Sequence, residues 1–221
     1  MSAIAGETQR RRGPRVDVDV PVVLLDTAEE LFGTDGVDNV SMRSVAREAG
    51  VAPAALTHHF PNKRALVEAV VMRRGRALGD EVRSRLHGLQ STSEVSCRDL
   101  VDAVLVPFVD EINSEPESGV RWLRIVITLA LNGDEVIGVA IADQGAGIGD
   151  IATLFIAAAS RVPHLDEAAV ELRAPIAMFS MLTALAAADL GGYGRPTGPD
   201  GLDPEYVEQL ALFTSSGLRA G

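Results

Sequence analysis

Residues 41–60, SMRSVAREAGVAPAALTHHF, constrain the fold more than any other stretch of this chain. Met42, Val45, Ala46 and Ala49 recur at i, i+3, i+4 and i+7, the stripe of a short helix with one buried face. Ser41 stands before them as an N-cap, and Gly50 after them can take the left-handed conformation that closes a helix. Three residues on, Pro53 suits the first position of another helix, because its missing N–H would have had no partner there. That helix is short too, running to about His59 with Leu56 and Phe60 facing inward. Two short helices joined by a tight glycine turn are the outline of a helix-turn-helix.

The flanking sequence continues in helical periods. Asp19 can cap a helix over about 20–33 that tolerates Pro21 in its first turn and repeats Leu24, Thr27, Ala28, Leu31 and Phe32. Gly33 to Asn39 reads as its closing turn, and Pro61-Asn62 opens a longer helix to about Leu86. After a polar break from Gly88 to Ser96, the spacing predicts helices over 98–112, 119–131, 135 to about 162 with an interruption, 166–190, and 204–215. Residues 113–119 and 191–201 are loops by composition. With 221 residues, 47% hydrophobic and only 4% aromatic, and no sustained apolar–polar alternation, the chain is expected to be all-α. The expected organisation is a disordered basic arm over 1–18, a three-helix helix-turn-helix domain over 19–66, and a larger helical body over 67–221.

Charge divides along the same line. Residues 1–90 hold 13 Lys+Arg against 12 Asp+Glu, whereas residues 91–221 hold 7 against 19, giving −11 for the whole chain. Such an acidic body repels nucleic acid, so any DNA contact must come from the first ninety residues. The single Cys97 excludes an internal disulfide and is expected to be a buried, inert thiol. The N-terminus lacks the apolar core of a secretory signal. The longest apolar run, about Ile176 to Ala188, falls short of the ~20 residues that span a bilayer. A cytoplasmic protein with no membrane partner is expected.

Chemistry is sparse. His58 and His59 are adjacent, so on a helix they are expected to diverge and not to share a metal; His87 and His164 are isolated. The run Gly145-Ala-Gly-Ile-Gly-Asp150 lacks the third glycine and the preceding strand of a dinucleotide loop. No Ser-His-Asp or paired-carboxylate spacing stands out. No cofactor, metal or enzymatic activity is expected. Arg73, Arg74 and Arg76 read as a solvated helix face.

The ordered set Leu24-Leu25-Asp26-Thr27-Ala28, Leu31-Phe32, Gly36, Ser41 to Ala46, Ala49-Gly50-Val51, Leu56, Phe60, Lys63 and Leu66 resembles the DNA-binding domain of a TetR-family transcriptional regulator. The physical roles of these positions agree with it. Ser41 at a helix N-terminus can meet a phosphate, and Arg43 one turn in can make a bidentate contact to guanine. Pro53, Ala54 and Ala55 would face the major groove, where small apolar surfaces meet thymine methyls. Thr57 and His59 can hydrogen-bond phosphates, and Lys63 can add a charge contact. Ala52 stands where the family usually has Ser or Thr, and Thr57 where it has Tyr, so a cap and a large phosphate-contacting side chain are missing. Arg10, Arg11, Arg12 and Arg15 of the arm are candidates to enter the minor groove instead.

The resemblance implies a homodimer on a pseudo-palindromic double-stranded DNA operator, paired through the last long helices. Candidate dimer surfaces are 174–188 and one side of the final helix, with Tyr206, Val207, Leu210 and Phe213. It also implies a small-molecule effector in an apolar pocket; Phe108, Trp122, Ile125, Phe155, Met178 and Met181 are the candidate walls. A ligand that favours the DNA-free arrangement would then release the operator as the fourth helix swings. Two alternatives stay open: an activator or partner-controlled regulator without a small ligand, and a helical enzyme or carrier with a vestigial helix-turn-helix.

Overall fold

The structure, a computed structural model, describes residues 19–142, 148–163, 165–190, 197–198 and 200–219. Ten α-helices lie within them: α1 (Val20–Asp35), α2 (Met42–Glu48), α3 (Pro53–His59), α4 (Lys63–Gln90), α5 (Cys97–Ser114), α6 (Pro116–Leu131), α7 (Glu135–Ala142), α8 (Ile148–Ala159), α9 (Glu167–Ala186) and α10 (Pro204–Arg219). The fold class is all-α, as the periodicity implied. The predicted loop over 191–201 contains an exception: β1 (Thr197–Gly198) pairs antiparallel with β2 (Gly201–Leu202). Asn113 Oδ1 accepts from the Leu202 N–H at 2.8 Å and stands only 2.2 Å from where a Cβ on Gly201 would lie. Gly201 also has φ 104°, so both conformation and space call for glycine.

Two details of α1 differ from expectation. Asp19 makes no side-chain cap bond, and the helix starts with Pro21 in its first turn. Gly33 does not end the helix; the chain turns at Gly36, with φ 84°. At Gly33 the aliphatic stem of Arg121 lies against the backbone, its Cγ 2.1 Å from a would-be Cβ. This glycine therefore serves a close approach of α6 to α1.

One apolar core runs from Leu24 in α1 to Leu218 in α10, and Cys97 is buried within it. The expected division at residue 66 falls in the first turns of α4, a 28-residue helix that carries Leu66, Val67, Val70 and Val71 into the core and continues past Val82 to Leu86. One helix thus belongs to both the helix-turn-helix unit and the body.

Helix α9 packs on α6 and α10, yet over Ala168–Ala186 it is long and apolar enough to cross a membrane by length and composition, and only 28% of that window is buried. The apolar stretch is therefore longer than the run from Ile176 suggested. Part of its apolar surface is outward, with Leu172 73%, Ile176 65% and Phe179 42% exposed, while Ala174, Met181, Leu185, Ala186 and Ala188 are buried within the subunit. On α10, Tyr206, Val207 and Leu210 pack partly against the core, and Leu212 and Phe213 project outward. The outward surface thus keeps Ile176, Phe179 and Phe213 from the residues expected to form it and adds Leu172 and Leu212.

Candidate nucleic-acid interface and cavity

Helices α1, α2 and α3 pack on one another around Leu24, Ala28, Val45, Ala46 and Leu56. Ser41 caps α2 in a reciprocal box: its Oγ accepts from the Ser44 N–H at 3.1 Å, and the Ser44 Oγ accepts from the Ser41 N–H at 2.9 Å. The other end of α2 closes in a Schellman motif. The Val51 N–H donates to Ala46 O at 2.9 Å and the Gly50 N–H to Arg47 O at 3.2 Å, with Gly50 at φ 65°. This turn fixes the angle at which α3 leaves α2.

Helix α3 begins at Ala52 without a side-chain cap, as the missing Ser or Thr implies. Leu56 is fully buried and holds the helix to the head; Pro53, Ala54, Thr57, His58 and His59 are exposed and Ala55 partly so. The Thr57 hydroxyl donates back to Pro53 O and Ala54 O, both at 3.1 Å. Its lone pairs, not its hydrogen, are what it presents outward. The rings of His58 and His59 do not diverge as neighbours on a helix were expected to; they meet edge to face with centroids 5.2 Å apart. Arg43 is exposed on α2 and forms no ion pair among the described residues. Lys63 is less free, since its Nζ donates to Asp38 O at 3.1 Å and thereby ties the start of α4 to the turn after α1. Asn62 caps α4 by accepting from the Ala65 N–H at 2.9 Å. Arg10, Arg11, Arg12 and Arg15 lie outside the described residues, as do His164 and residues 145–147 of the glycine run.

In the body, α4 to α9 line a cavity of about 420 Å³. From α4 come Val71, Met72, Gly75, Leu78, Gly79 and Val82; from α5, Val104 and Phe108; from α6, Trp122, Leu123, Val126, Ile127 and Ala130. Ile137 and Ile151 close it from α7 and α8, and Pro175, Met178, Phe179 and Leu182 from α9. No lining side chain carries a charge. Gly75 and Gly79 leave room that larger side chains on the same stripe of α4 would fill. The Trp122 Nε1–H is satisfied by Val70 O and Val71 O at 3.1 and 3.2 Å, so the indole presents apolar surface to the cavity.

Of the six wall candidates, Phe108, Trp122 and Met178 line this cavity and Ile125, Phe155 and Met181 do not. At about 100° per residue, Ile125 and Met181 each point more than about 100° away from the cavity-facing stripe of their helix, and both are sealed in packing at 2% and 1% exposure. Phe155 is likewise fully buried at 1%, on a helix packed against α4 and α9. The sequence reading missed the two α4 glycines, whose signal was the absence of a side chain on a helix face otherwise apolar.

Arg74 departs most from expectation. Its side chain is 11% exposed and is not part of a solvated face. It pairs with Glu111, reaches Glu115 at 2.6 Å and Ser118 at 3.0 Å, and lies 3.7 Å from Glu29, whose side chain is only 4% exposed. Burial pushes the Glu29 carboxyl above its ordinary range in spite of Arg74, Arg73 and Arg121, whereas the hydrogen bond from Arg74 holds Glu115 below it. Arg73 pairs with Asp26. Helix α4 thus carries two arginines that grip α1 on one side, and Met72 and Gly75, next to them in sequence, line the cavity on the other.

Residues 24–70 match the family of bacterial regulatory proteins described as the tetR family. The chain is 33% identical over 49 residues to the HTH-type transcriptional regulator UidR of Escherichia coli K12, which is 22% of this chain and 25% of that protein. It is 32% identical over 80 residues to the regulator BetI of Escherichia coli O17:K52:H18, covering 36% of this chain and 41% of BetI. The matched part therefore spans well under half the length of these relatives. The fold of nearly the whole chain resembles AmtR of Mycobacterium smegmatis, with TM-score 0.59 at 20% identity over 95% of this chain and 89% of AmtR. That likeness concerns the fold; the family match covers residues 24–70.

Proposed function

We propose that this chain, a TetR-family protein by its amino-terminal segment and its fold, is a homodimeric DNA-binding transcriptional repressor that a small apolar ligand releases from a pseudo-palindromic operator in the cytoplasm. The observation that carries the DNA-binding part is the outward face of α2 and α3: Arg43 exposed and unpaired among the described residues, beside a rigidly turned helix whose exposed surface includes Pro53, Ala54, Thr57, His58 and His59. In this reading residues 19–66 are the reading domain, the four arginines of the arm add minor-groove contacts, and Ser41, Ala55, His59 and Lys63 complete the footprint.

The cavity supports a ligand-controlled regulator over a partner-controlled one, because an uncharged site of about 420 Å³ lies under the helix that holds the reading heads. An occupant touching Met72 and Gly75 acts on the same turn of α4 from which Arg73 and Arg74 grip α1. Tilting α4 moves the head, and the ligand and operator then weaken each other by the same factor.

The test is fluorescence-anisotropy titration of DNA flanking the chain's own gene at two salt concentrations, with wild type and Arg43→Ala. Wild type is expected to bind tightly and with strong salt dependence, and the variant to lose about 1–3 kcal/mol, or roughly 5- to 150-fold, at cognate sequence only. Equal affinity of both proteins for the flanking DNA and for random DNA would refute the assignment.

A further inference from the structure

Phe179 belongs to two surfaces at once. It lines the cavity, and it is 42% exposed on the outside of α9. Pro175, one turn earlier, also lines the cavity and is exposed. The cavity therefore reaches the surface at these two side chains, beside Leu172 and Ile176 on the same face of α9.

Helix α10 extends that surface. Arg173 donates to Leu218 O at 3.2 Å and Tyr206 to Ala184 O at 2.8 Å, so α9 and α10 run antiparallel and Leu212 and Phe213 stand about level with Phe179. Leu172, Ile176, Phe179, Leu212 and Phe213 are 73%, 65%, 42%, 44% and 76% exposed. Scaled from full side-chain areas, they present roughly 600 Å² of apolar surface, at the upper limit for a free monomer and approaching the about 800 Å² per partner of a standard interface before any flanking residue is counted.

We infer that a second copy of this chain covers this face and in doing so forms the outer wall of the cavity at Pro175 and Phe179, so that the ligand site is closed only in the dimer. The inference rests on the dimer and the ligand cavity of the proposed function and adds that assembly and ligand binding are one linked equilibrium. A ligand held in the dimer is shielded on all sides; in the monomer its surface near Pro175 and Phe179 meets water. Leaving roughly 55 Å² of apolar ligand wet weakens binding by about tenfold. By linkage, the ligand tightens the dimer by the square of that factor when both sites fill.

Trp122 is the only tryptophan and lies in the cavity wall, which makes its fluorescence a local reporter. The experiment titrates full-length protein with decanol bearing a terminal bromine, a contact quencher, while sedimentation velocity gives the oligomeric state. Leu172→Glu and Phe213→Glu place a charge on the outer face of α9 and α10 without touching the cavity, and circular dichroism checks that each remains folded. Wild type is expected to be a dimer quenched saturably, with weaker quenching on dilution through its dissociation range. Both variants are expected to be folded monomers that need about tenfold more probe. The inference is overturned if a folded monomeric variant is quenched at wild-type probe concentrations, if wild type is monomeric at micromolar concentration, or if the wild-type dimer is not quenched. Operator binding by wild type, measured beside these, separates the outcomes: a DNA-binding dimer whose monomeric variants keep full probe affinity loses the shared wall and retains the proposed function.

Discussion

Replacing Arg74 by methionine keeps the length and apolar stem of the side chain and removes the charge that joins α1, α4, α5 and α6. Glu29 is then left with a side chain 4% exposed and without the guanidinium 3.7 Å away. Deleting one member of a buried pair costs about 3–5 kcal/mol. Two features of the site set the value near the lower end. Glu29 already has its carboxyl pushed up by burial, so it can escape the penalty by taking a proton, at 1.36 kcal/mol per unit. Glu111 and Glu115 keep access to water, with side chains 27% and 60% exposed, and losing Arg74 costs each of them about 0–1 kcal/mol. The expected loss at neutral pH is about 3 kcal/mol, equivalent to a Tm lower by roughly 6–12 °C at fixed protein concentration. The sign of the pH dependence is set by Glu29. Because its folded value is raised, its contribution is fully present below the ordinary value of 4.5 and is lost as pH rises through the folded value. Removing Arg74 raises that folded value further, so the difference between variant and wild type widens from acid to neutral pH. Urea unfolding of wild type, Arg74→Met, Glu29→Gln and the double variant checks this, with the double variant recovering more than half of the single-variant loss. A loss under about 1 kcal/mol at neutral pH, or one equal at about pH 4.5 and pH 7.5, would refute a buried, coupled pair.

Four further outcomes are expected from the structure. Ala52→Ser supplies the cap that α3 lacks and is expected to stabilise the protein by about 0.5–2 kcal/mol in urea unfolding, with unchanged or tighter operator binding. Lys63→Ala removes a cation tied to Asp38 O and is expected to weaken DNA binding about equally at all sequences, lowering the slope of log affinity against log salt by about 1. Gly79→Leu fills the cavity from α4; Trp122 quenching by brominated decanol is expected to disappear while anisotropy shows operator binding intact. Arg98 joins α5 to α10 by paired bonds to Glu208 at 2.8 Å, which hold the Glu208 carboxyl below its ordinary range. Glu208→Gln is therefore expected to remove a stabilisation present above pH 4.5 and lost as pH falls through the folded value, seen as a smaller acid-induced drop in the urea midpoint.

The helix-turn-helix was legible because its signals are local. Ser41, Gly50 and Pro53 act within three or four residues of themselves, through a cap, a left-handed turn and an N-terminal proline, and each forms in the structure as spacing alone implies. Arg43 could be placed outward for the same reason, since Val45 and Ala46 commit the opposite side of α2 to the core. Helix limits in the body were legible to within a few residues from spacing and from the polar loops between them, and in the structure Ser96 with Asp99 caps the first of these helices. Where local signals misled, a distant partner was the cause. Gly33 looks like a turn residue until Arg121 arrives from α6, and residues 197–202 read as loop until Asn113 of α5 fastens the hairpin.

The body's cavity was only half legible, and the difference is geometric. Apolar periodicity tells that Ile125, Phe155 and Met181 are inside, and they are among the most buried residues of the chain. It does not tell which inward side chains face other side chains and which face an opening, because both need the same residue types. An opening depends on what opposite helices fail to fill, and here that failure is set by Gly75 and Gly79 on α4, two residues with nothing for a pattern to register. Charge misled for a related reason. Arg73, Arg74 and Arg76 look like a solvated run, yet carboxylates from α1, α5 and the α5–α6 junction converge on Arg74, from positions 45 residues before it and 37 and 41 after it. A buried cation is recognisable only when its counter-ions are brought together, and in this fold the element that brings them together is α4. That helix joins the helix-turn-helix to the cavity, so the residues least readable from sequence are those on which the proposed function relies to couple the two.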